Sequence, residues 1–356
     1  MAFRVSAPGR VCLFGEHSDY LGLDVIAAAI DLVVEIIATP RDDNKIHVDY
    51  SDLGEVDEFS LDSKVEYRKK RDYIRSSFNV MSRNGFKPKN GWNLKVSGNI
   101  PLSAGLSSSS AMTVAAIMTV VEMSGKKMAK EEVALTAYDA EVTEFGESGG
   151  TMDHFASVMG GVIHVDMESH EITNLPAKLG SFVIGDSGEK KKDTVGDLHF
   201  IRTTVEREYD AITKRISSFN RRTTPANMVY EISKRNPSKE RLMAEATLRN
   251  RDLTYRALEL LNQESPDAFD LGDMIQEHHE ILRDDLYRST PKIESLINAA
   301  LDAGATGCKI NGSGGGGSMM AYASGIERKV ANAIELAGGT AYIVMVGNGA
   351  TLTKIE

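Results

Sequence analysis

Pro101-Leu-Ser-Ala-Gly-Leu-Ser-Ser-Ser-Ser-Ala111 runs directly into Ala111–Met123, which reads as a strong, largely buried helix. Gly105 lets the backbone come close to a ligand, and the serines add hydroxyl donors. The helix start supplies free N–H groups and the positive end of the helix dipole. Together they form an anion site suited to a polyphosphate. A serine-rich helix cap with no ligand is the alternative. No GxxxxGK[ST] motif and no HRD or DFG signature occurs in the chain, which excludes Walker-type and protein-kinase readings.

Upstream, Phe3–Val5 and Val11–Phe14 are strand-like, with Ala7-Pro8-Gly9 a turn signal between them. Val25–Thr39 is apolar and can be a strand pair or a helix. Trp92–Val96 alternates like a half-buried strand. Downstream, Lys130–Phe145 is a second helix, broken by Gly146–Gly150, and Gly161–Asp166 is a strand. Leu179–Ile184 opens a second half. Val195 to about Gln276 is charged and mostly helical, and Thr290–Ala303 is a helix with Pro291 in its first turn. The glycine-rich Gly304–Gly317 follows, then closing strands at Ser318–Tyr322 and Ala341–Val346. The pattern predicts an α/β (α+β) chain of two domains, 1–175 and 176–356; because the motif-bearing segments come from both ends of the chain, they are expected to converge in the cleft between the domains to share a substrate.

The 356 residues suffice for a substantial core without disulfides, and 42% hydrophobic with 26% charged is an ordinary globular balance. The net charge of -10 argues against nucleic-acid binding and requires a local device to hold any anion. Cys12 and Cys308 are expected as buried thiols in a reducing compartment, with no zinc spacing. Met1–Arg10 lacks a long apolar run, and no stretch approaches the ~18 residues of a membrane span. A cytoplasmic protein with no membrane partner is therefore expected. The run Glu189-Lys-Lys-Lys-Asp193 is expected as a solvated loop, a lid over the phosphate site being the alternative.

Two further segments complete a constellation. Pro8-Gly-Arg-Val-Cys-Leu-Phe-Gly-Glu-His-Ser-Asp-Tyr-Leu-Gly22 resembles the galactokinase signature PGRVNLIGEHTDYNGG. Pro101–Ala111 resembles the PLGAGLSSSAA loop of the GHMP kinases, and Gly307–Gly317 resembles their third motif. Ala140–Gly146 with Gly150-Thr-Met-Asp-His154 is similar to AEHEFVG…GIMDQ, and Leu282–Ser289 to LRDDYEVS. The resemblance implies the two-domain GHMP kinase fold and phosphoryl transfer from ATP to a small sugar. Galactose, phosphorylated at its anomeric hydroxyl, is the leading acceptor. Another sugar, such as an N-acetylhexosamine, pentose or uronic acid, and a non-catalytic sugar sensor are the alternatives. A mevalonate-type acceptor suits the EHSDY signature less.

By the same resemblance, Asp153 and Arg10 are catalytic, and Glu16, His17, Asp19 and Tyr20 bind the sugar. Gly105, Leu106, Ser107, Ser108, Ser109, Ser110, Tyr73, Gly314 and Gly315 bind ATP. Ser109 and Glu141 hold Mg²⁺, and the enzyme is a monomer or homodimer. The departures are His154 for Gln, Asn311 for Thr, and Leu21 and Leu23-Asp24 in the turn after the signature. Phe200 is the nearest match to a sugar-contacting Tyr.

Overall fold

The computed structural model describes residues 1–62, 64–102, 104–191, 193–235 and 237–355; Ser103 and Lys192 of the loops quoted above lie outside the described residues. The strands are β1 (Ala2–Phe14), β2 (Val25–Pro40), β3 (Lys45–Tyr50), β4 (Glu55–Ser60), β5 (Trp92–Gly98), β6 (Val162–Val165), β7 (Ile172–Leu175), β8 (Phe182–Asp186), β9 (Gly307–Asn311), β10 (Ser318–Tyr322), β11 (Thr340–Val344) and β12 (Thr351–Ile355). The helices are α1 (Tyr73–Arg83), α2 (Ser108–Ser124), α3 (Lys130–Glu141), α4 (Met152–Met159), α5 (Thr194–Thr213), α6 (Ala226–Arg235), α7 (Lys239–Leu261), α8 (Ala268–Glu280), α9 (Pro291–Asp302) and α10 (Glu327–Leu336).

One sheet runs β12-β1-β2-β5-β3-β4, with β6 on β2 and β7 on β6; the other runs β11-β8-β10-β9. Val25–Pro40 is one long strand, neither a strand pair nor a helix. β1 covers one of its sides, while β6 pairs with Val25–Ala28 and β5 with Val34–Pro40 on the other. Two short neighbours thus satisfy the hydrogen bonds of one strand rich in β-branched residues. Helices α2 and α4 pack on β1 and β2, and α8, α9 and α10 pack on the second sheet.

Three local expectations change. Ala7-Pro8-Gly9 is not a turn: β1 continues through it, with the register shifting between Pro8 and Arg10. A bulge absorbs the proline, and Gly9 is needed because a Cβ there would lie 2.6 Å from the Leu106 carbonyl oxygen. The glycine-rich stretch is in part a strand, since Gly307–Asn311 is fully buried as β9. The second helix stops at Glu141, with a separate turn of 3₁₀ helix at Thr143–Phe145. Strands β3, β4, β7 and β12 carry no strand expectation from the sequence; β12 pairs antiparallel with β1, so residues 351–355 return to the first sheet. Cys12 and Cys308 are free and buried. Among the described residues no helix is long and apolar enough to cross a membrane.

Candidate active site

Four segments converge on one cleft of about 960 Å³: the signature at Arg10–Tyr20, the serine loop, the start of α4, and the turn after β9. The serine loop is docked from below. Arg10 N–H donates to Leu106 O at 3.1 Å, while Arg10 Nη1 and Asn311 Nδ2 donate to Gly105 O at 2.7 and 2.8 Å. Asn311 Oδ1 in turn accepts from Cys12 N–H at 3.2 Å. The carboxamide that replaces threonine here therefore ties β9 to β1 and to the loop at once. Gly105 sits at φ +75°, and a Cβ on it would lie 2.7 Å from Asn311 O. No other residue fits that approach without displacing backbone.

Asp153 lies in the first turn of α4, where a carboxylate is favoured by the helix dipole. Its Oδ1 accepts from Arg10 Nε at 2.6 Å and its Oδ2 from Ser107 Oγ at 2.6 Å. Ser107 adopts a left-handed φ of +59°, a strained conformation for a residue with a side chain, and this aims its hydroxyl at Asp153. Arg10 is buried. Burial alone would lower its pKa, but Asp153 and Glu16 outweigh that and raise it, so the guanidinium stays charged.

Around the acceptor end, His17 Nδ1 meets the Tyr20 hydroxyl at 2.8 Å, while His17 Nε2 is buried without a partner among the described residues. Burial lowers His17 to about 4, so the ring is neutral at pH 7. The Asp19 carboxyl is raised to about 7, first by burial and then by the neighbouring Asp153 charge. Gly150 packs against it: a Cβ there would fall 2.0 Å from Asp19 Oδ2. Tyr20 is buried and its phenol is held well above its ordinary pKa by burial. Glu16 is turned elsewhere. Its Oε2 accepts from Lys309 Nζ at 3.0 Å and from Gly312 N–H at 2.9 Å.

Glu141 lies at the end of α3 and is nearly buried, with its Oε2 accepting from His154 Nε2 at 2.7 Å and from Thr113 Oγ1 at 3.3 Å. Burial would raise its pKa; the His154 hydrogen bond outweighs that and lowers it. His154, which replaces a glutamine of the resembling motif, is thus a neighbour of this carboxylate. Ser108, Ser109, Ser110 and Glu141 all line the cleft. One ionised carboxylate with hydroxyl oxygens is a donor set that fits Mg²⁺, which keeps several waters and phosphate oxygens.

Tyr73 lines the same cleft beside Arg71, whose Nε donates to Glu147 at 2.6 Å. Gly314 and Gly315 do not line it. They turn toward Arg288, whose carbonyl accepts from Gly315 N–H at 2.8 Å; Gly312 and Ser313 face the cleft instead. Phe200 is exposed and outside the lining, where Val195 and Leu198 of α5 stand. The charge run is exposed at Glu189, Lys190 and Asp193, as expected of a solvated loop, but Lys191 turns inward. Lys191 Nζ donates to Ser313 Oγ at 2.9 Å, and a Cβ on Gly105 would lie 3.3 Å from it. Burial lowers Lys191 to about 8. The charge run Glu189–Asp193 was the only sequence signal for it; Lys309 had none.

The models of the GHMP kinases N terminal domain and the GHMP kinases C terminal match residues 72–161 and 257–338. The galactokinase galactose-binding signature matches residues 2–40. The mevalonate kinase of Pyrococcus furiosus is 32% identical over 96% of this chain and 95% of its own. The chain belongs to the GHMP kinase family. As such it is an ATP-dependent phosphotransferase of the two-domain GHMP fold. A galactokinase of Clostridium perfringens is 28% identical over 97% of this GHMP kinase and 94% of its own length. The crystal structure of Lactococcus lactis galactokinase complexed with galactose superposes with a TM-score of 0.86 at 20% identity, covering 98% of this chain and 95% of that one. The Methanococcus jannaschii mevalonate kinase gives a TM-score of 0.74, also at 20% identity, over 97% and 98%.

Proposed function

We propose that this GHMP kinase transfers the γ-phosphate of ATP to the anomeric hydroxyl of a neutral sugar, with galactose as the leading acceptor and galactose 1-phosphate as product. The observation that carries the reading is Asp153, gripped by Arg10 and Ser107 between the serine loop and the His17–Tyr20 turn. An acceptor hydroxyl placed there gives its proton to the Asp153 carboxylate, or is oriented by it, as its oxygen attacks phosphorus. Arg10, whose guanidinium stays charged beside that carboxylate, offsets developing negative charge. The N–H groups at the start of α2 and the Lys191 ammonium face the phosphates. Ser109 and Glu141 would hold Mg²⁺, which supplies charge neutralisation when it binds with ATP. Asp19, His17 Nε2 and Tyr20 are the groups offered to the sugar hydroxyls.

Mevalonate is the second reading, favoured by the higher identity to the archaeal mevalonate kinases. Two features weigh against it. The galactose-binding signature covers the whole acceptor turn. The Asp19 carboxyl, already raised to about 7 by burial and by Asp153, is poor company for a substrate carboxylate. The deciding experiment is ATP turnover over a panel of galactose, N-acetylgalactosamine, arabinose, galacturonate and mevalonate, with ³¹P NMR of the product. Galactose is expected to give an anomeric phosphate. Turnover of mevalonate alone refutes the sugar reading. Binding of sugar and ATP without turnover across the panel makes the protein a sensor.

A further inference from the structure

Lys309 is completely buried, and it is a charged group for which the chemistry above has no use. Its ammonium donates to Glu16 Oε2 at 3.0 Å and to the Cys12 carbonyl at 2.9 Å. The same Glu16 oxygen accepts the Gly312 N–H at 2.9 Å. Glu16 is 4% exposed, so both charges of the pair are withdrawn from water. Burial alone would raise the Glu16 carboxyl; Lys309 and Arg10 outweigh that and bring it to about 2.

Gly312 is the hinge of this arrangement. It sits at φ +77° in the cleft lining, and a Cβ on it would come within 3.1 Å of the Gly105 carbonyl oxygen and 3.5 Å of Lys191 Nζ. The next residue, Ser313, holds Lys191. One carboxylate from the signature therefore sets the turn against which the serine loop and the phosphate-facing lysine both rest.

We infer that Glu16 and Lys309 form a buried clasp that positions the Gly312–Ser313 turn for the nucleotide, and that Glu16 is a positioning residue for ATP more than a ligand of the sugar. A buried pair is a poor source of net stability, because desolvation offsets the attraction. Its worth lies in geometry: removing one partner leaves the other charge uncompensated, and the turn must move to let water reach it. The inference rests on the kinase reading but not on the identity of the acceptor.

The test uses the full chain without acceptor. Affinity for MgADP is measured by calorimetry for wild type, Glu16→Gln, Lys309→Met and Lys309→Arg, with thermal melts in parallel. Glu16→Gln and Lys309→Met are expected to weaken MgADP by roughly ten- to a hundredfold, the effect of losing a charge-assisted hydrogen bond. Lys309→Arg keeps the charge and is expected to recover most of the loss. If Glu16→Gln does not fold, Glu16→Asp takes its place, since the shorter side chain cannot reach both Lys309 and Gly312. In a second arm, the galactose KM of the folded variants is expected to change less than the nucleotide affinity. A folded Glu16 variant with wild-type MgADP affinity overturns the clasp. If galactose proves inert, the acceptor reading fails, while the calorimetry still decides this one.

Discussion

Asp153→Asn is the sharpest perturbation of the proposed chemistry. Both carboxylate oxygens are engaged, Oδ1 by Arg10 Nε at 2.6 Å and Oδ2 by Ser107 Oγ at 2.6 Å. An asparagine can keep both contacts: its oxygen accepts from Arg10, and its amide faces Ser107, whose hydroxyl rotates to accept. Shape survives while the negative charge and the basicity vanish. A general base or orienting carboxylate contributes about 10²–10⁴ in rate, equivalent to roughly 2.7–5.5 kcal/mol of transition-state stabilisation. The kcat measured by coupled ADP release should fall by that factor. Affinity for MgADP should change by less than about threefold, because the nucleotide contacts lie on other segments; such a split marks an interaction made chiefly in the transition state. The variant also leaves Arg10, 6% exposed in its side chain, without its nearest counter-charge. Because Asp153 itself is 27% exposed, screening trims that cost to about 1–3 kcal/mol. A folded Asp153→Asn enzyme with kcat within threefold of wild type would refute the assignment.

Three other outcomes follow from the site. Lys191, lowered to about 8, is protonated below that pH, so kcat/KM for ATP should decline above pH 8. Lys191→Arg should abolish the decline, and Lys191→Met should lower kcat/KM by roughly ten- to a hundredfold at pH 7, the effect of a lost charged hydrogen bond. Asp19, raised to about 7, accepts sugar hydroxyls best when ionised, so the galactose KM should fall as pH rises through 7; an equally steep profile in Asp19→Asn would mean another group titrates. His17 and His278 are lowered to about 4 and about 3, chiefly by burial, against an ordinary 6.5. They are neutral in the fold and take up protons on unfolding, so the stability they contribute is present above pH 6.5 and is lost as pH falls toward 4. Tm measured from pH 7 to 4 should show this slope, and His278→Gln should flatten it.

Much of the site was legible from short-range order. The run Gly105–Ser110 ahead of an apolar helix reads as a phosphate loop because glycine, hydroxyls and a helix start act over one or two turns. Arg10 and Asp153 were paired through the motifs that carry them, and the structure brings them to 2.6 Å. The reading weakened wherever a residue's meaning depends on a distant partner. Gly9 passes for a turn until Leu106 is seen to need its missing side chain. Gly314 and Gly315 look like phosphate contacts until Arg288 is found beside them.

What the sequence by itself determined about this protein is the set of local devices: the phosphate loop, the helix that starts at it, and the strand-like runs at Val11–Phe14 and Trp92–Val96. Each follows from periodicity, propensity or a cap, which act between neighbours in the chain. Only the tertiary structure decided that β12 returns to β1, that Lys191 reaches Ser313, and that Glu16 faces Lys309 across 293 residues of chain. A lysine in a buried strand leaves no periodic trace of its partner. Its charge is tolerable only where a carboxylate waits, and that place exists once both domains have packed.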